Sequence, residues 1–450
     1  MTKVKIGDLI TRYKELIKVK DEVAYKQVTI RTKHKGVVLR GIQQGAAIGT
    51  KNQYVTRQGQ FILSRIDARN GAFGIVPEEL EGAIITNDFW SFDINEKRVL
   101  RDFFFTLIQA PAFDDACNKA SIGTTNRQRI NEEFFLNYEL DIPPLEEQVV
   151  AVQQINAANE TFAAITDELT HQAGLLTQLR QAVLREAVRG QLVPQDPADE
   201  PAAALLARIR AEKQRLMAAK QLRKEKPLPP LTEADAPYEL PPGWEWVRLG
   251  DIMDICSGVA KGKKYKSDLT DVPYLAVANV QRGYLLLQNV KRIAVPQSEI
   301  DKYSLTTGDL LMTEGGDADK LGRCAIWSDE IDNCIHQNHI FRVRILDNTI
   351  LPYYAMNYIN SDSARAYFMG SAKQTTNLAS INLTQLKNTP FALPPLAEQH
   401  RIVAKVTELL SHCDLLEAEL EQARQAAAAL HAAALREAFE PAAAPVAVAG

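Results

Sequence analysis

The sequence is poor in cysteine and has no long apolar run, and each shortage excludes a class of protein. Its five cysteines, in 450 residues, are scattered and include no Cys-x-x-Cys pair, which argues against a zinc ribbon or a disulfide framework. No apolar run approaches the roughly 18 residues of a transmembrane helix, and the start, MTKVKIGDLI, does not resemble a signal peptide. We therefore expect a cytoplasmic protein without membrane contact.

The sequence also lacks the common signatures of catalysis. It contains no Gly-x-Ser-x-Gly, no His-Glu-x-x-His, and no Pro-Pro pair set between the polar and aromatic residues that an amino-methyltransferase needs. The stretch from Gly258 to Lys264 is one residue short of a phosphate-binding loop and lacks its Ser or Thr. No carboxylate or cysteine completes a metal site around His336 and His339 at familiar spacing. These absences predict a binding protein that holds no metal.

Aromatic residues are nearly missing from two parts of the chain. Of the 32 aromatic side chains, only Phe162, Tyr238 and Phe439 lie in residues 142–240 and 393–450. Aromatic side chains supply much of the buried area of mixed or β-rich cores, so the other 29 indicate globular domains at 1–141 and 241–392. The aromatic-poor parts are rich in Ala, Leu, Gln and Glu, which favour helix.

The chain contains an internal repeat with a constant offset of 251 residues. The segment IPPLEEQ at 142–148 returns as LPPLAEQ at 393–399, and LREA at 184–187 returns at 435–438. Without a gap, 124–187 and 375–438 share 20 of 64 residues, beginning with TTN in both. A weaker likeness, between KIGDLI at 5–10 and RLGDIM at 248–253, opens each globular block. The matches predict a duplication in the order domain, helix, domain, helix.

Each aromatic-poor repeat predicts one long helix, at 142–195 and 393–440. Pro143 and Pro144 suit a helix start, Gly190 and Pro194 the end of the first helix, and Pro441 the end of the second. Both helices repeat apolar or small residues every seven positions, as the seam of a coiled coil does. The seam residues are Ile155, Phe162, Leu169, Leu176 and Val183, then Val406, Cys413, Leu420, Ala427 and Ala434.

Side-chain volumes favour an antiparallel pairing of the two helices. The first seam is bulky at its start and the second is small toward its end, so an antiparallel pair sets large residues opposite small ones. The alternative, in which each helix packs only on its own domain, stays open. We expect companion rows at Ile165, Leu179, Leu409, Leu416 and Leu430, and a further apolar interface at Leu175, Leu184 and Val188.

Residues 196–240 connect the first helix to the second globular block. Apolar residues alternate with basic ones over 200–225, which predicts a separate basic amphipathic helix. The Pro-rich stretch 226–244 predicts a semi-rigid linker, and residues 441–450, PAAAPVAVAG, a low-complexity tail.

Positive charge is concentrated in one cluster of each globular block. The net charge of the whole chain is −4, but residues 1–66 contain 14 Lys and Arg against 4 Asp and Glu. Basic clusters with small residues let a polypeptide backbone approach phosphates. We predict DNA-binding residues in both clusters and at outlying positions, namely Arg31, Lys33, Lys35, Arg40, Lys51, Arg57, Lys261, Lys263, Lys264, Lys266 and Lys373.

The doubled PPL-x-EQ and LREA segments, the PPGWEWVRLGDI stretch at 241–252 and the paired TTN…IN segments resemble the specificity subunit of type I restriction–modification systems. The resemblance covers essentially the whole chain. It implies an α+β fold with two mixed α/β target-recognition domains separated by two long antiparallel helices forming a coiled coil. It also implies that each domain reads one half of a bipartite, asymmetric DNA site.

The same resemblance implies a subunit without catalytic activity in phage defence. Its partners would be double-stranded DNA, two modification (methyltransferase) subunits and two restriction subunits. This chain would hold no cofactor, because S-adenosylmethionine, ATP and Mg²⁺ would bind to the partner subunits. One alternative remains: a coiled-coil scaffold whose two domains bind protein partners.

Overall fold

The computed structural model describes residues 2–123, 128–224, 227–266, 268–316, 320–374 and 379–439. The chain forms two compact units: unit 1 comprises Met1–Glu168 and Ala423–Gly450, and unit 2 comprises Leu169–Gln422. The TTN segments and the tail that the sequence singled out fall outside the described residues. Within the described residues, none of the helices combines the length and the apolar character needed to cross a membrane.

Unit 1 is a mixed α/β domain followed by the first half of a long helix. Its helices are α1 (Ile6–Leu9), α2 (Arg101–Leu107), α3 (Pro111–Lys119), α4 (Glu132–Leu136) and α5 (Leu145–Val188), which continues into unit 2. Its strands are β1 (Thr2–Lys5), β2 (Ile10–Tyr13), β3 (Leu16–Lys18), β4 (Ala24–Ile30), β5 (Val37–Gln44), β6 (Asn52–Val55), β7 (Phe61–Ser64), β8 (Phe73–Ile75), β9 (Ile84–Ile85), β10 (Phe89–Ile94), β11 (Ser121–Ile122), β12 (Arg129–Ile130) and β13 (Glu139–Ile142).

Phenylalanine side chains fill the core of unit 1. Phe61 on β7 meets Phe104 of α2 and Phe113 of α3 edge-on, with ring centroids 5.4 and 5.7 Å apart. Phe113 in turn meets Phe135 of α4 at 5.9 Å. Edge-to-face pairs of this kind add to the free energy of burying the rings. The short helices are thereby packed onto the sheet β2-β10-β7-β8.

Unit 2 contains a second mixed domain and the remainder of both long helices. Its further helices are α6 (Ala202–Ala218), α7 (Leu249–Ile252), α8 (Gln297–Tyr303), α9 (Pro352–Asn360), α10 (Asp362–Ser371), α11 (Leu383–Lys387) and α12 (Leu396–Phe439), which ends in unit 1. Its strands are β14 (Glu245–Arg248), β15 (Met253–Ser257), β16 (Thr270–Leu275), β17 (Lys291–Val295), β18 (Leu310–Thr313), β19 (Gly315–Gly316), β20 (Cys324–Ile326), β21 (Ile335–His336), β22 (Ile340–Ile345), β23 (Lys373–Gln374), β24 (Ala379–Ser380) and β25 (Pro390–Leu393).

The two domains share several strand connections, although the sheet β17-β16-β21 of unit 2 contains no counterpart of β3 and β6 among the described residues. The sheet β2-β10-β7-β8 of unit 1 corresponds to β15-β22-β18-β20 of unit 2. The pair β1–β13, which joins the start of the domain to the strand before the long helix, corresponds to β14–β25. A parallel contact occurs at the same place in each domain, between β4 and β9 and between β16 and β21. These corresponding strands allow the two domains to be compared with each other.

The segment between α5 and β14 differs from the separate helix and linker that the sequence predicts. Leu205, Leu206 and Ile209 of α6 are buried in the same core cluster as Trp244, so the helix is part of unit 2. The Pro-rich stretch is also attached, because Arg248 donates to the carbonyl oxygens of Pro229 and Pro230 at 2.6 and 3.2 Å. Burial of the apolar side chains of α6 and the hydrogen bonds from Arg248 thus attach to unit 2 a segment whose composition is typical of a linker.

The end of α5 is set by a left-handed glycine. Gly190 has φ 69°, its N–H donates to the carbonyl of Ala187, and the N–H of Gln191 donates to that of Glu186. These two bonds close a Schellman motif, which favours glycine at this position. The indole of Trp244 packs against Gly190, so a side chain at Gly190 would collide with it.

The seam residues of the long helices are less exposed than most of the residues between them. Ile155, Leu169, Leu176, Val183, Val406 and Cys413 are buried, and Phe162, Leu420, Ala427 and Ala434 are half-buried. In unit 1, the ring of Phe162 stacks on that of His431, with centroids 4.4 Å apart. In unit 2, Arg180 donates to the carboxylates of Asp414 and Glu417 at 2.6 and 3.0 Å.

The companion rows differ from the expectation. Leu179, Leu416 and Leu430 are 47%, 46% and 65% exposed, and only Ile165 and Leu409 are half-buried. In unit 2 the polar side chain of Arg180, rather than Leu179, flanks the seam and pairs with the other helix. The further apolar interface expected at Leu175, Leu184 and Val188 is exposed only at Leu175, whose exposed fraction is 49%. Leu184 is half-buried, and Val188 is fully buried in the core of unit 2.

One buried glutamine in each unit joins the domain to its long helix. The amide of Gln148 donates to the carbonyls of Pro143 and Arg98 at 2.8 and 3.2 Å, and its oxygen accepts from the N–H of Leu100 at 2.8 Å. Gln399 makes the same three bonds, to Pro394, Thr349 and Leu351, at 3.1, 3.1 and 2.9 Å. All four pairs of corresponding residues are 251 positions apart. We call this arrangement the glutamine clamp.

Replacing Gln399 by leucine should destabilise unit 2 by about 2–5 kcal/mol, because one buried N–H and two carbonyl oxygens lose their partner. Urea denaturation followed by circular dichroism measures the loss. Gln422→Leu, at an exposed position of the same helix, is the matched control and should change stability by less than about 0.5 kcal/mol. Equal stabilities of the two variants would contradict a structural role for the clamp.

Candidate nucleic-acid interface

The basic cluster of unit 1 is displayed by a turn in a strained conformation. Lys33 and His34, between β4 and β5, have φ of 59° and 56°, a region that residues other than glycine rarely occupy. Their N–H groups donate to the carbonyls of Asn70 and Gly71 at 2.7 and 3.0 Å. Such strain persists where surrounding structure enforces it, and it is typical of functional loops.

The side chain of His34 fixes this turn to the domain. Its Nε2 lies 2.9 Å from Oδ1 of Asp114 on α3, and its ring centroid lies 5.1 Å from that of Phe73 on β8. The side chains of the cations on both sides of His34 are exposed, and none of them makes an ion pair or hydrogen bond with another described residue. These exposed cations are Arg31, Lys33 and Lys35.

Two outlying cations of unit 1 are engaged by carboxylates. Lys51 donates to Asp21 at 2.6 Å and to the carbonyl of Gly45 at 2.7 Å. Arg57 donates to Glu15 at 2.9 Å, and its guanidinium lies 4.7 Å from the ring centroid of Tyr13. A phosphate would therefore have to compete with these contacts, which makes Lys51 and Arg57 poorer candidates than the turn.

The lysine cluster of unit 2 is supported by aromatic rings. Lys261 lies over the ring of Tyr274 at 5.0 Å, and Lys263 lies over Tyr265 at 5.1 Å while donating to Glu299 at 2.6 Å. Lys264 and Lys266 are exposed, and neither has a partner in the described part of the chain. The structure brings the four exposed lysines onto one loop, where Lys261 and Lys263 contact aromatic rings and Lys264 and Lys266 have no described partner.

Lys373 belongs to a different part of unit 2. It pairs with Ser380 in the β23–β24 hairpin and lines a cleft with Glu314 and His339. The Nδ1 of His339 lies 2.8 Å from a carboxylate oxygen of Glu314. These two residues were not predicted to bind DNA from the sequence, because the pairing of β19 with β24, which sets Gly315 opposite Ser380, joins residues far apart in the chain.

A second basic surface that the sequence did not reveal lies beside α8. A cleft of about 640 Å³ is lined by Arg342 and Arg344 of β22, together with Lys302 and Arg223. Arg342 donates to Asp254 at 3.0 Å and Arg344 to Asp309 at 2.6 Å. These ion pairs neutralise both arginines of β22, and they follow from the pairing of β22 with β15, which carries Asp254, and with β18, which Asp309 precedes.

The residues considered for metal or phosphate binding have structural roles. His336 is fully buried and its Nδ1 lies 2.9 Å from the carbonyl oxygen of Ile340, while the nearby His339 is on the surface. Across the described residues there is no cluster of three or more potential metal ligands. Gly258 packs against the carbonyl of His336, and the next described element after Gly262 is strand β16 rather than a helix, unlike in a phosphate-binding loop.

Comparison with known proteins gives consistent matches. The family model described as "Type I restriction modification DNA specificity domain" matches residues 1–172 and 241–425. The chain is 28% identical to the type I restriction enzyme EcoAI specificity subunit of Escherichia coli, over 74% of this chain and 62% of that protein. It is 26% identical to the EcoEI specificity subunit of the same species, over 87% and 67%. The chain thus spans about two thirds of the length of these relatives.

The fold is also similar to solved structures. The crystal structure of the HsdS subunit from Thermoanaerobacter tengcongensis matches with a TM-score of 0.57 at 18% identity, over 97% of this chain and 96% of that one. A chain from a structural study of complex assembly and conformational transition of the type I R-M system matches with a TM-score of 0.60 at 18% identity, over 98% and 97%. At this identity the likeness establishes a shared fold.

The neutral state of His336 makes stability depend on pH. Burial lowers the pKa of His336 from 6.5 to about 3, so between these values the unfolded chain binds a proton that the folded chain does not. The stability of unit 2 should therefore fall as pH falls below 6.5, by up to about 1.4 kcal/mol per pH unit from this residue. Urea denaturation between pH 6 and 5 should give a shallower decline for His336→Gln. Identical declines would contradict a buried neutral imidazole.

Proposed function

Because the chain belongs to the type I restriction–modification DNA specificity family, we propose that it is the subunit that reads the DNA sequence in a type I restriction–modification complex. The observation that carries the proposal is the double match, at residues 1–172 and 241–425, to two domains that share a four-stranded sheet order and the strand pair before each long helix. Two similar domains with different surface cations suit a bipartite, asymmetric site. Each domain would read one half of it.

The two domains are proposed to derive from an internal duplication, and α5 and α12 to form an antiparallel coiled coil. The heptad seams support the pairing, because their members are less exposed than their neighbours. The contacts also support an antiparallel direction. Within unit 1 residue 162 meets 431, and within unit 2 residue 180 meets 414, so the contacts descend along α12 as they ascend along α5.

The basic clusters are proposed to hold DNA phosphates. In unit 1 the exposed cations of the turn are Arg31, Lys33 and Lys35, and in unit 2 the exposed cations are Lys261, Lys263, Lys264 and Lys266 of the loop, together with Lys373. Their exposure and the rigid support of the two loops suit phosphate contacts, which position a protein on a duplex without reading its sequence. Lys51 and Arg57 would contribute only after leaving Asp21 and Glu15.

The chain is proposed to be non-catalytic and to act through partner subunits in phage defence. Two modification subunits and two restriction subunits would join it and bring S-adenosylmethionine, ATP and Mg²⁺. Large apolar side chains on the long helices remain exposed, and such patches are typical of protein interfaces. These side chains are Val149, Val150, Leu175, Leu179, Leu415, Leu416 and Leu430.

Exchange of one domain tests the proposal. Replacing residues 1–141 by the corresponding domain of a relative should change one half of the methylated sequence and leave the other half intact, because each domain has its own core and its own glutamine clamp. Long-read methylation mapping of DNA from cells with the modification subunits gives the readout. The reciprocal exchange of 241–392 is the matched control. If either exchange alters both halves, the modular reading of the site is wrong.

A further inference from the structure

Strand β5 of unit 1 presents an unusual combination of side chains at a sheet edge. It is the last strand in the order β3-β6-β9-β4-β5, and beyond Val37 it is largely open to solvent. Its exposed residues include Leu39 and Ile42, which are 44% and 64% exposed, together with Arg40, Gln43 and Gln44. Soluble proteins usually protect such an edge with lysine or proline, so an apolar and amide-rich edge indicates a surface made for contact.

A β-bulge singles out Arg40 within this strand. Gln27 of β4 faces Gly41 and Val28 faces Leu39, so Arg40 is the extra residue between them. Bulges change the direction of a side chain and are frequent next to functional sites. No carboxylate partner for the guanidinium of Arg40 occurs among the described residues, unlike Arg57, which is bound to Glu15. The strand thus carries an exposed cation that the domain does not use internally.

The surroundings of β5 suit a nucleic acid. The turn with Arg31, Lys33 and Lys35 joins β4 to β5, and His34 holds it against α3. Cations at the end of a two-stranded ribbon could grip phosphates while the ribbon enters the major groove, which is wide enough for a two-stranded ribbon. The residue types match base edges: arginine suits guanine, glutamine suits adenine, and apolar side chains suit the methyl group of thymine.

Unit 2 has a corresponding edge strand with different side chains. Strand β17 pairs with β16 as β5 pairs with β4, and it ends the order β17-β16-β21. Its arginine, Arg292, donates to the Asp271 carboxylate at 2.6 Å, and the strand, KRIAV, contains no glutamine. The corresponding edge strands β5 and β17 thus carry different side chains. Such a difference is expected of an element that distinguishes two DNA sequences.

From these observations we propose that β5 reads bases of the first half-site, with Arg40 and Gln44 as hydrogen-bonding readers and Ile42 as an apolar contact. The inference rests on the proposed function, since it names the reading element of a DNA-binding domain. Ile42 and Gln44 share one face of the strand because side chains alternate, and the bulge sets the direction of Arg40 separately. Phosphate contacts are assigned to the turn and base contacts to the strand.

The test is methylation by the complete complex with its modification subunits, on DNA with randomised half-sites. Arg40→Ala should lower discrimination at one position of the first half-site by about 5- to 150-fold and leave the second half-site unchanged. Gln44→Ala should relax a different position of the same half-site. The double variant Lys33→Ser with Lys35→Ser is the matched control, and it should weaken methylation of all sequences without changing the preferred one.

The outcomes separate this inference from the proposed function. The inference requires a wild-type complex that methylates a bipartite site. If the Arg40→Ala variant then keeps the same sequence preference and methylates all sequences at an evenly reduced rate, the inference is wrong and Arg40 is a phosphate contact. Loss of a subunit from the Arg40→Ala complex in native mass spectrometry would overturn it in favour of a protein contact. Failure of the proposed function itself would show as absence of sequence preference in the wild type. Continued methylation that still requires the unaltered positions of the first half-site shows that unit 1 of the variants is folded.

Discussion

The glutamine clamp is the interaction on which the rest of the structure depends. In each unit, one amide at the start of a long helix uses its two N–H groups and its oxygen on backbone groups of the domain and of the preceding Pro-Pro segment. Gln148 and Gln399 are both fully buried, so an unmade bond there would cost the whole desolvation of a polar group. A stiff helix is thereby attached to a domain at a defined place. Any change of angle between a domain and its own helix would have to break these bonds.

That constraint explains how two copies can diverge in their surfaces while keeping one architecture. The clamp, the β1–β13 and β14–β25 pairs and the capping asparagines Asn131 and Asn382 recur in both copies. Side chains away from these elements are free to differ. In unit 1 the side chain of His34 supports the basic turn, whereas in unit 2 aromatic rings lie beneath Lys261 and Lys263. Differences in the exposed strands and loops are what two independent half-sites would require.

Regular patterns predicted the repeated parts well, and non-local contacts account for what was missed. The offset of 251 residues and the seven-residue spacing place the helix starts and the seams, because these depend on neighbours in sequence. The engagement of Lys51 and Arg57 could not be foreseen, since Asp21 and Glu15 reach them through pairing of β3 with β6. Exposure of Leu179 follows from the position of Arg180 opposite Asp414. Docking of α6 was missed because its amphipathic pattern predicts an apolar face but does not show that this face packs against Trp244 and the core of unit 2.

If each domain reads its half-site from its own end of the proposed helix pair, helix length sets the spacing of the site. Deleting one heptad from each helix, 160–166 with 427–433, removes the stacked pair Phe162 and His431 together and keeps both seams in register. It shortens each helix by about 10 Å, close to three base pairs of duplex, which also rotates the half-sites by about 100°. Methylation of DNA with randomised spacer length decides the matter. The account predicts loss of the natural spacing and partial recovery on a shorter spacer, whereas full methylation at the original spacing would contradict it.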